Sequence, residues 1–289
     1  MSDQRRLPFV QFEFAGTLGL EDGRYLARSR EATGEPERVL VVRVAAAPEP
    51  PRRRLSRAKP RPSAAGAEPA TVPLTTLTVI TATPLGDADS AERWLARVRD
   101  DHELLAAELE AALVLANRAI HAHRATVLDP SLADVDSGRS LAARVGFGDG
   151  EQLADGRFAA AIEVPPGSRR RRGQAMRPQE RLAAVLGGRE AVAACELLLL
   201  RARSDLDAER SREAALQLRV GLEALLAERG ALRAPGQDED LAALEARRSI
   251  TGDAANEALQ GELEAERTGE VTETLQLCER VLRRKRALG

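Results

Sequence analysis

The sequence predicts an α+β protein: a small antiparallel β-sheet in the N-terminal part, a long helix, then a mainly α-helical C-terminal bundle. Three observations carry the prediction. Residues 9–15 (FVQFEFA) set Phe9, Gln11 and Glu13 against Val10, Phe12 and Phe14, the period-two pattern of a strand. An apolar stripe at helical spacing runs from Trp94 to Ile120. From residue 178 onward, Leu and Ala recur at helical intervals between glycine-containing breaks.

Each element has its own justification. Asp22-Gly23 is a turn dipeptide, and residues 24–28 around Tyr25 are expected to return as the hairpin partner of the first strand. Residues 39–44 (VLVVRV) and 74–81 (LTTLTVIT) are rich in β-branched side chains and complete a sheet of three or four strands. Between them, residues 46–73 are rich in Pro, Ala and Arg and too poor in apolar surface to offset their ordering entropy, so a flexible excursion is expected. Ser90 is positioned to cap a helix whose apolar side chains Trp94, Val98, Leu105, Leu109, Leu113 and Ile120 form one seam. Asp129-Pro130 stops it, which allows a continuous rod of about 58 Å at 1.5 Å per residue. A rod of that length requires a partner, either within the chain or on another subunit.

Residues 131–164 are mixed, with a short strand at 142–145, a Gly-rich loop at 146–152 (GFGDGEQ) and an Asp155-Gly156 turn. Residues 165–177 form an Arg-rich linker. The helices that follow are expected at 178–186, 188–205, 209–229, 238–249, 253–267 and 270–286, with Leu197, Leu200, Leu218, Leu222, Leu225, Leu244 and Leu275 in their common core. The resulting organisation is a β-rich domain over residues 1–85, the long helix and mixed segment over 86–164, the linker over 165–177 and the bundle over 178–289.

Composition restricts the function classes. Hydrophobic residues make up 43% and charged residues 30% of 289, which suits two folded units rather than a disordered chain. A net charge of −2 provides no global attraction to nucleic acid or anionic lipid, so any such contact must be local. No stretch reads as a signal peptide or membrane span, and Cys195 and Cys278 stand apart within helical patterns, so a cytoplasmic protein with reduced thiols is expected and no membrane contact.

Three local signals bear on chemistry. Gly146, Gly148 and Gly150 follow a strand and precede a helix, the order that suits a phosphate-cradling ligand loop, although Asp149 and Glu151 would repel an anion and the spacing is not the dinucleotide fingerprint. His121 and His123 diverge by about 200° on a helix, too far for one metal ion, and carboxylates such as Asp100-Asp101, Asp134 with Asp136, and residues 238–240 suit solvated faces and helix starts. No catalytic, cofactor or metal site is assigned. Basic clusters form the third signal: Arg52, Arg53 and Arg54 within a segment of local charge +4, then Arg169, Arg170, Arg171 and Arg172, then Arg280 with residues 283–286. Such clusters can neutralise phosphates, but no aromatic side chains interleave to stack bases.

The pair 195–206 and 209–227 resembles one tetratricopeptide-type helical hairpin, with Leu198, Ala202, Ala214, Leu218 and Gly221 where that repeat has its packing residues. Arg201, Asp205 and Leu226 depart from the pattern, and no copy recurs at 34 residues. The hairpin with its two following helices also resembles the four-helix HEPN domains, whose Arg-to-His ribonuclease motif has no counterpart because no His lies beyond 123. The expected function is a non-enzymatic interaction or scaffolding protein that binds a protein partner or a second copy; the alternative is a nucleic-acid-associated protein that contacts phosphate through its Arg-rich segments.

Overall fold

In the computed structural model of the chain, residues 6–28, 35–45, 73–165, 178–232 and 234–288 are described. They form two compact units, Met1–Gly167 and Ser168–Gly289. The fold class is α+β, with an antiparallel sheet in the N-terminal part and helices after it.

The first unit is built on β1 (Arg6–Ala15), β2 (Gly23–Ala27), β3 (Arg38–Ala45), β4 (Leu74–Thr81), β5 (Ala142–Asp149) and β6 (Ala160–Val164), in the order β2-β3-β4-β1-β5-β6. The helices α1 (Ala88–Asp100) and α2 (His102–Val127) cover one face, where Val10, Phe12, Leu40, Leu77 and Val145 meet Val98, Ala116 and Ile120. The short α3 (Gly150–Ala154) covers part of the other, where Phe9, Val41 and Ile80 meet Leu153 and Ala154.

β1 is therefore central. Phe9, Val10, Gln11 and Phe12 are buried in succession, which only a strand covered on both faces permits. The expected hairpin between β1 and β2 does not form. β4 and β5 occupy both edges of β1, with Phe12 opposite Leu77 and Val10 opposite Val145, and β2 pairs with β3 instead, Tyr25 opposite Leu40. Longer strands offer β1 more cross-strand apolar pairs than five residues of β2 could. Gly16 and Gly19, at φ 85° and 82°, carry the chain away from β1 between the two strands.

The single long rod is also corrected. Asp101 adopts an extended conformation and its carboxylate accepts from Glu103 N and Leu104 N, both at 3.0 Å, so it starts α2 where α1 has just ended. The cap of α1 is Asp87, which accepts from Ser90 N at 2.8 Å, rather than Ser90 itself. α2 is still 26 residues, about 39 Å, and it packs on the sheet.

In the second unit, α4 (Pro178–Leu186) ends at Gly187-Gly188, the latter at φ 69°. Then α5 (Ala194–Asp207) and α6 (Ser211–Ala227) form an antiparallel hairpin, followed by α7 (Arg229–Leu232), α8 (Asp238–Ala246), α9 (Arg248–Gln260) and α10 (Ala265–Leu288). Their shared core holds Leu199, Leu218, Leu222, Leu225, Leu244, Leu275 and Val281. A Cβ on Gly221 would lie 2.9 Å from Leu199 Cδ2, so glycine is what lets α5 and α6 approach there. Gly252 and Gly269 do not break helices as expected; they sit inside α9 and α10, where an added Cβ would meet no side chain or neighbouring element within 4 Å. The actual breaks fall at Arg247 and at the extended Gly261, because an isolated glycine costs only about 1 kcal/mol in a helix that buries one face.

Candidate functional site

The sequence-expected ligand loop is strand and helix start. Gly146 and Gly148 lie within β5, opposite Phe9 and Leu7 of β1, and Gly150 opens α3. None of the three has a positive φ. Their glycine identity has a packing cause: a Cβ on Gly146 would lie 2.2 Å from the Ala160 carbonyl oxygen, and one on Gly148 would lie 2.9 Å from Leu153 Cδ2. The seam Trp94, Val98, Leu105, Leu109, Leu113 and Ile120 is brought together against the sheet, Val98 and Ile120 fully buried and the others partly so. It is occupied within its own unit. Arg52, Arg53, Arg54, Arg169, Arg170, Arg171 and Arg172 lie outside the described residues.

The C-terminal basic cluster is internally compensated. Arg280 and Arg284 both reach Asp240 at 3.3 Å, Arg283 reaches Glu279 at 3.5 Å, and Arg286 reaches Glu196 at 2.9 Å. Asp134 pairs with Arg124 at 3.5 Å. Both thiols are deeply placed: burial pushes Cys195 and Cys278 up to about 12, and Cys195 Sγ donates to Glu228 at 3.5 Å. Neither is poised as a nucleophile. Among the described residues, no group of three His, Cys, Asp or Glu could hold a metal ion, and no helix is long and apolar enough to cross a membrane.

Two surfaces stand out, one by inverting the usual placement of side chains and the other as a groove at the sheet edge. The first is on α5. Its run of four leucines, residues 197–200, is wider than one helix face, since successive residues turn by about 100°. Leu199 enters the core, but Leu197 and Leu200, both expected there, are 50% and 62% exposed. Glu196 takes an inward position instead, 5% exposed. Its carboxylate accepts from Arg181 Nη2 at 2.6 Å, Arg286 Nη2 at 2.9 Å and Ala193 N at 3.2 Å. Burial raises the Glu196 pKa, but the two guanidinium groups outweigh that and hold it below the usual glutamate value. Beside it, a shallow groove of about 220 Å³ between α5 and α10 is lined by Leu199, Leu200 and Leu282 with Glu279 and Arg283. On α4, Leu182 and Leu186 share one face at i, i+4 and are 51% and 78% exposed.

No protein-family model, curated protein or solved structure matches this chain.

The second surface is a groove of about 500 Å³ in the first unit, between the edge strand β2 and α2. Leu20, Leu40, Leu115, Ala119 and Ala122 line it, Arg28 and Arg118 add positive charge, and His123 lies beside them. Arg118 Nη1 donates to the Arg28 carbonyl at 3.0 Å, and the Tyr25 hydroxyl donates to the Glu21 carbonyl at 3.2 Å. Sequence reasoning missed this groove because its two walls are 90 residues apart in the chain, at Arg28 and Arg118, and only the pairing of β2 with β3 brings them together. The α5 surface did have a sequence signal: four consecutive leucines cannot all face one core.

Proposed function

We propose that the protein acts by binding another polypeptide, a second copy of this chain included, through the face formed by α5 and its neighbours. The observation that supports this is the exchange on α5, where a glutamate is buried on two arginines while Leu197 and Leu200 stand in solvent. Leaving two leucines exposed beside an apolar groove is the arrangement of an interface surface rather than of a free helix. The ion pairs around it give the helix a fixed orientation, so the leucines are presented rigidly and bind with little ordering cost.

The test is affinity capture from the native cell with tagged wild type and with a Leu197→Ser/Leu200→Ser chain, together with light-scattering mass measurements on both. Because both positions are exposed, the substitutions should leave stability within about 0.5 kcal/mol. The reading expects a bound polypeptide, or a self-associated mass, with wild type and its loss in the variant. Identical captured sets together with identical monomer masses would refute it.

A second reading rests on the local charge of +4 over residues 46–73 and on Arg169 to Arg172: contact with nucleic-acid phosphate. Its mark would be binding to RNA or duplex DNA that weakens steeply as salt rises; absence of binding at low salt would remove it.

A further inference from the structure

We propose that the groove between β2 and α2 takes an extended acidic peptide segment, which adds to the sheet as a strand beside β2. This rests on a surface of the first unit and does not depend on the α5 face.

β2 ends the sheet, so among the described residues its outer row of backbone N–H and C=O groups faces no neighbouring strand. An edge of this kind is a template for another strand. On its inner side, Tyr25 lies opposite Leu40, the face toward α2, and Tyr25 is 45% exposed. α2 does not close over β2. It leaves a wedge whose apolar wall runs from Leu115 through Ala119 and Ala122 to Thr126. That wall is about 16 Å long at 1.5 Å per residue, the span of about five extended residues at 3.3 Å each, and β2 itself is five residues. An added strand would point alternate side chains into the wedge and the rest outward, near Leu26, which is 67% exposed on the other face.

Charge selects the occupant. Two guanidinium groups, Arg28 and Arg118, line the groove against one carboxylate, Glu21. Several arginines of the chain pair with acids, as Arg144 does with Glu13 and Arg181 with Glu196; Arg118 instead donates to a backbone carbonyl, that of Arg28, as Arg38 does to Ala111, so the two groove guanidinium groups remain open to an incoming carboxylate. A segment carrying Asp or Glu between apolar residues would supply both the missing anions and the apolar side chains. The Arg-rich stretches of this chain, 52–61 and 169–172, have the wrong sign for that role.

The experiment is a selection of random decapeptides by display on the full-length chain. It is followed by affinity measurements on wild type, Ala122→Trp, which fills the groove from an exposed position, and Arg118→Glu. The expected peptides alternate apolar residues with Asp or Glu. They should weaken at least tenfold on either variant, lose binding when alternate backbone amides are N-methylated, and bind the Leu197→Ser/Leu200→Ser chain unchanged. Peptides rewritten with Lys for Asp and Glu should prefer the Arg118→Glu chain. The proposal is overturned if no peptide is enriched, if enriched peptides ignore Ala122→Trp, or if they tolerate N-methylation. It is equally overturned if decanoate saturates the groove while peptides do not compete, which would make this a small-molecule pocket.

Discussion

Replacing Gly146 by Ala should damage the first unit far more than a single methyl group suggests. The new Cβ would lie 2.2 Å from the Ala160 carbonyl oxygen, 2.7 Å from Ala161 Cβ and 2.8 Å from Ala161 Cα. Ordinary carbon contacts lie near 3.5–4.0 Å, so β5 and β6 must part by about 1 Å or more, and the obstacles are backbone atoms that cannot rotate aside. Overpacking of this kind costs about 1–3 kcal/mol, and weakening one or two ladder hydrogen bonds adds about 0.5–1.5 kcal/mol each. The reduced freedom of the unfolded chain returns only about 0.4–1 kcal/mol. The net loss is about 2–3 kcal/mol, which for a unit of this size lowers Tm by roughly 5–10 °C. Trp94 is the only tryptophan and packs at the first unit's core, so a thermal melt followed by its fluorescence reads that unit selectively. Gly252→Ala is the matched control: the new Cβ would meet no side chain or neighbouring element within 4 Å inside α9, and alanine should stabilise the second unit by about 0.5–1 kcal/mol. A Gly146→Ala chain whose Trp94 transition is unmoved or raised would refute the close approach of β5 and β6.

Three further outcomes follow from the described geometry. Glu196→Gln should cost about 2 kcal/mol, less than the full ~3–5 for a buried pair because Arg181 and Arg286 still reach water; since the folded carboxyl titrates below its usual value, its contribution is present above the ordinary glutamate range and is lost as pH falls through the folded pKa, so denaturant melts of wild type should weaken on acidification below about pH 4.3 and those of the variant should change less. Asn117→Ala should cost about 2–3 kcal/mol and speed hydrogen exchange at the Val135 amide, because one buried side chain satisfies both the N–H, at 2.7 Å, and the C=O, at 2.9 Å, of Val135; an unchanged exchange rate would contradict the bond. Cys195 and Cys278 should resist iodoacetamide at pH 8 in the folded chain and react fully in guanidinium, because the thiols stay protonated until about 12; rapid alkylation of native protein would show the burial to be wrong.

What was legible in the sequence was mostly local. Alternation located β1, β-branched runs located β3 and β4, and 3.6-residue patterns located most of the helical second unit, because each signal is carried within one short segment. Pairing was not legible. β2 lies next to β3 and β1 lies between β4 and β5 because of competition among strands over distances of up to 143 residues, as with Arg6 opposite Asp149. The same limit hid β6 and turned three glycines into a presumed loop: close strand approach and positive φ both demand glycine, and the letters do not distinguish them. Asp101 shows a third limit, since a capping aspartate between two helices that share an apolar stripe looks like an ordinary polar-face residue. For the candidate surfaces, the leucine run at 197–200 was visible as excess hydrophobicity, whereas the groove beside β2 requires the topology.

The central claim, that the α5 face is covered by a polypeptide in the native assembly, is tested most directly by hydroxyl-radical footprinting of Leu197 and Leu200. The purified, dilute chain should oxidise readily at both, as their exposures of 50% and 62% require, and the complex isolated from its native cell should be protected at both. Equal oxidation in the two samples would contradict the account.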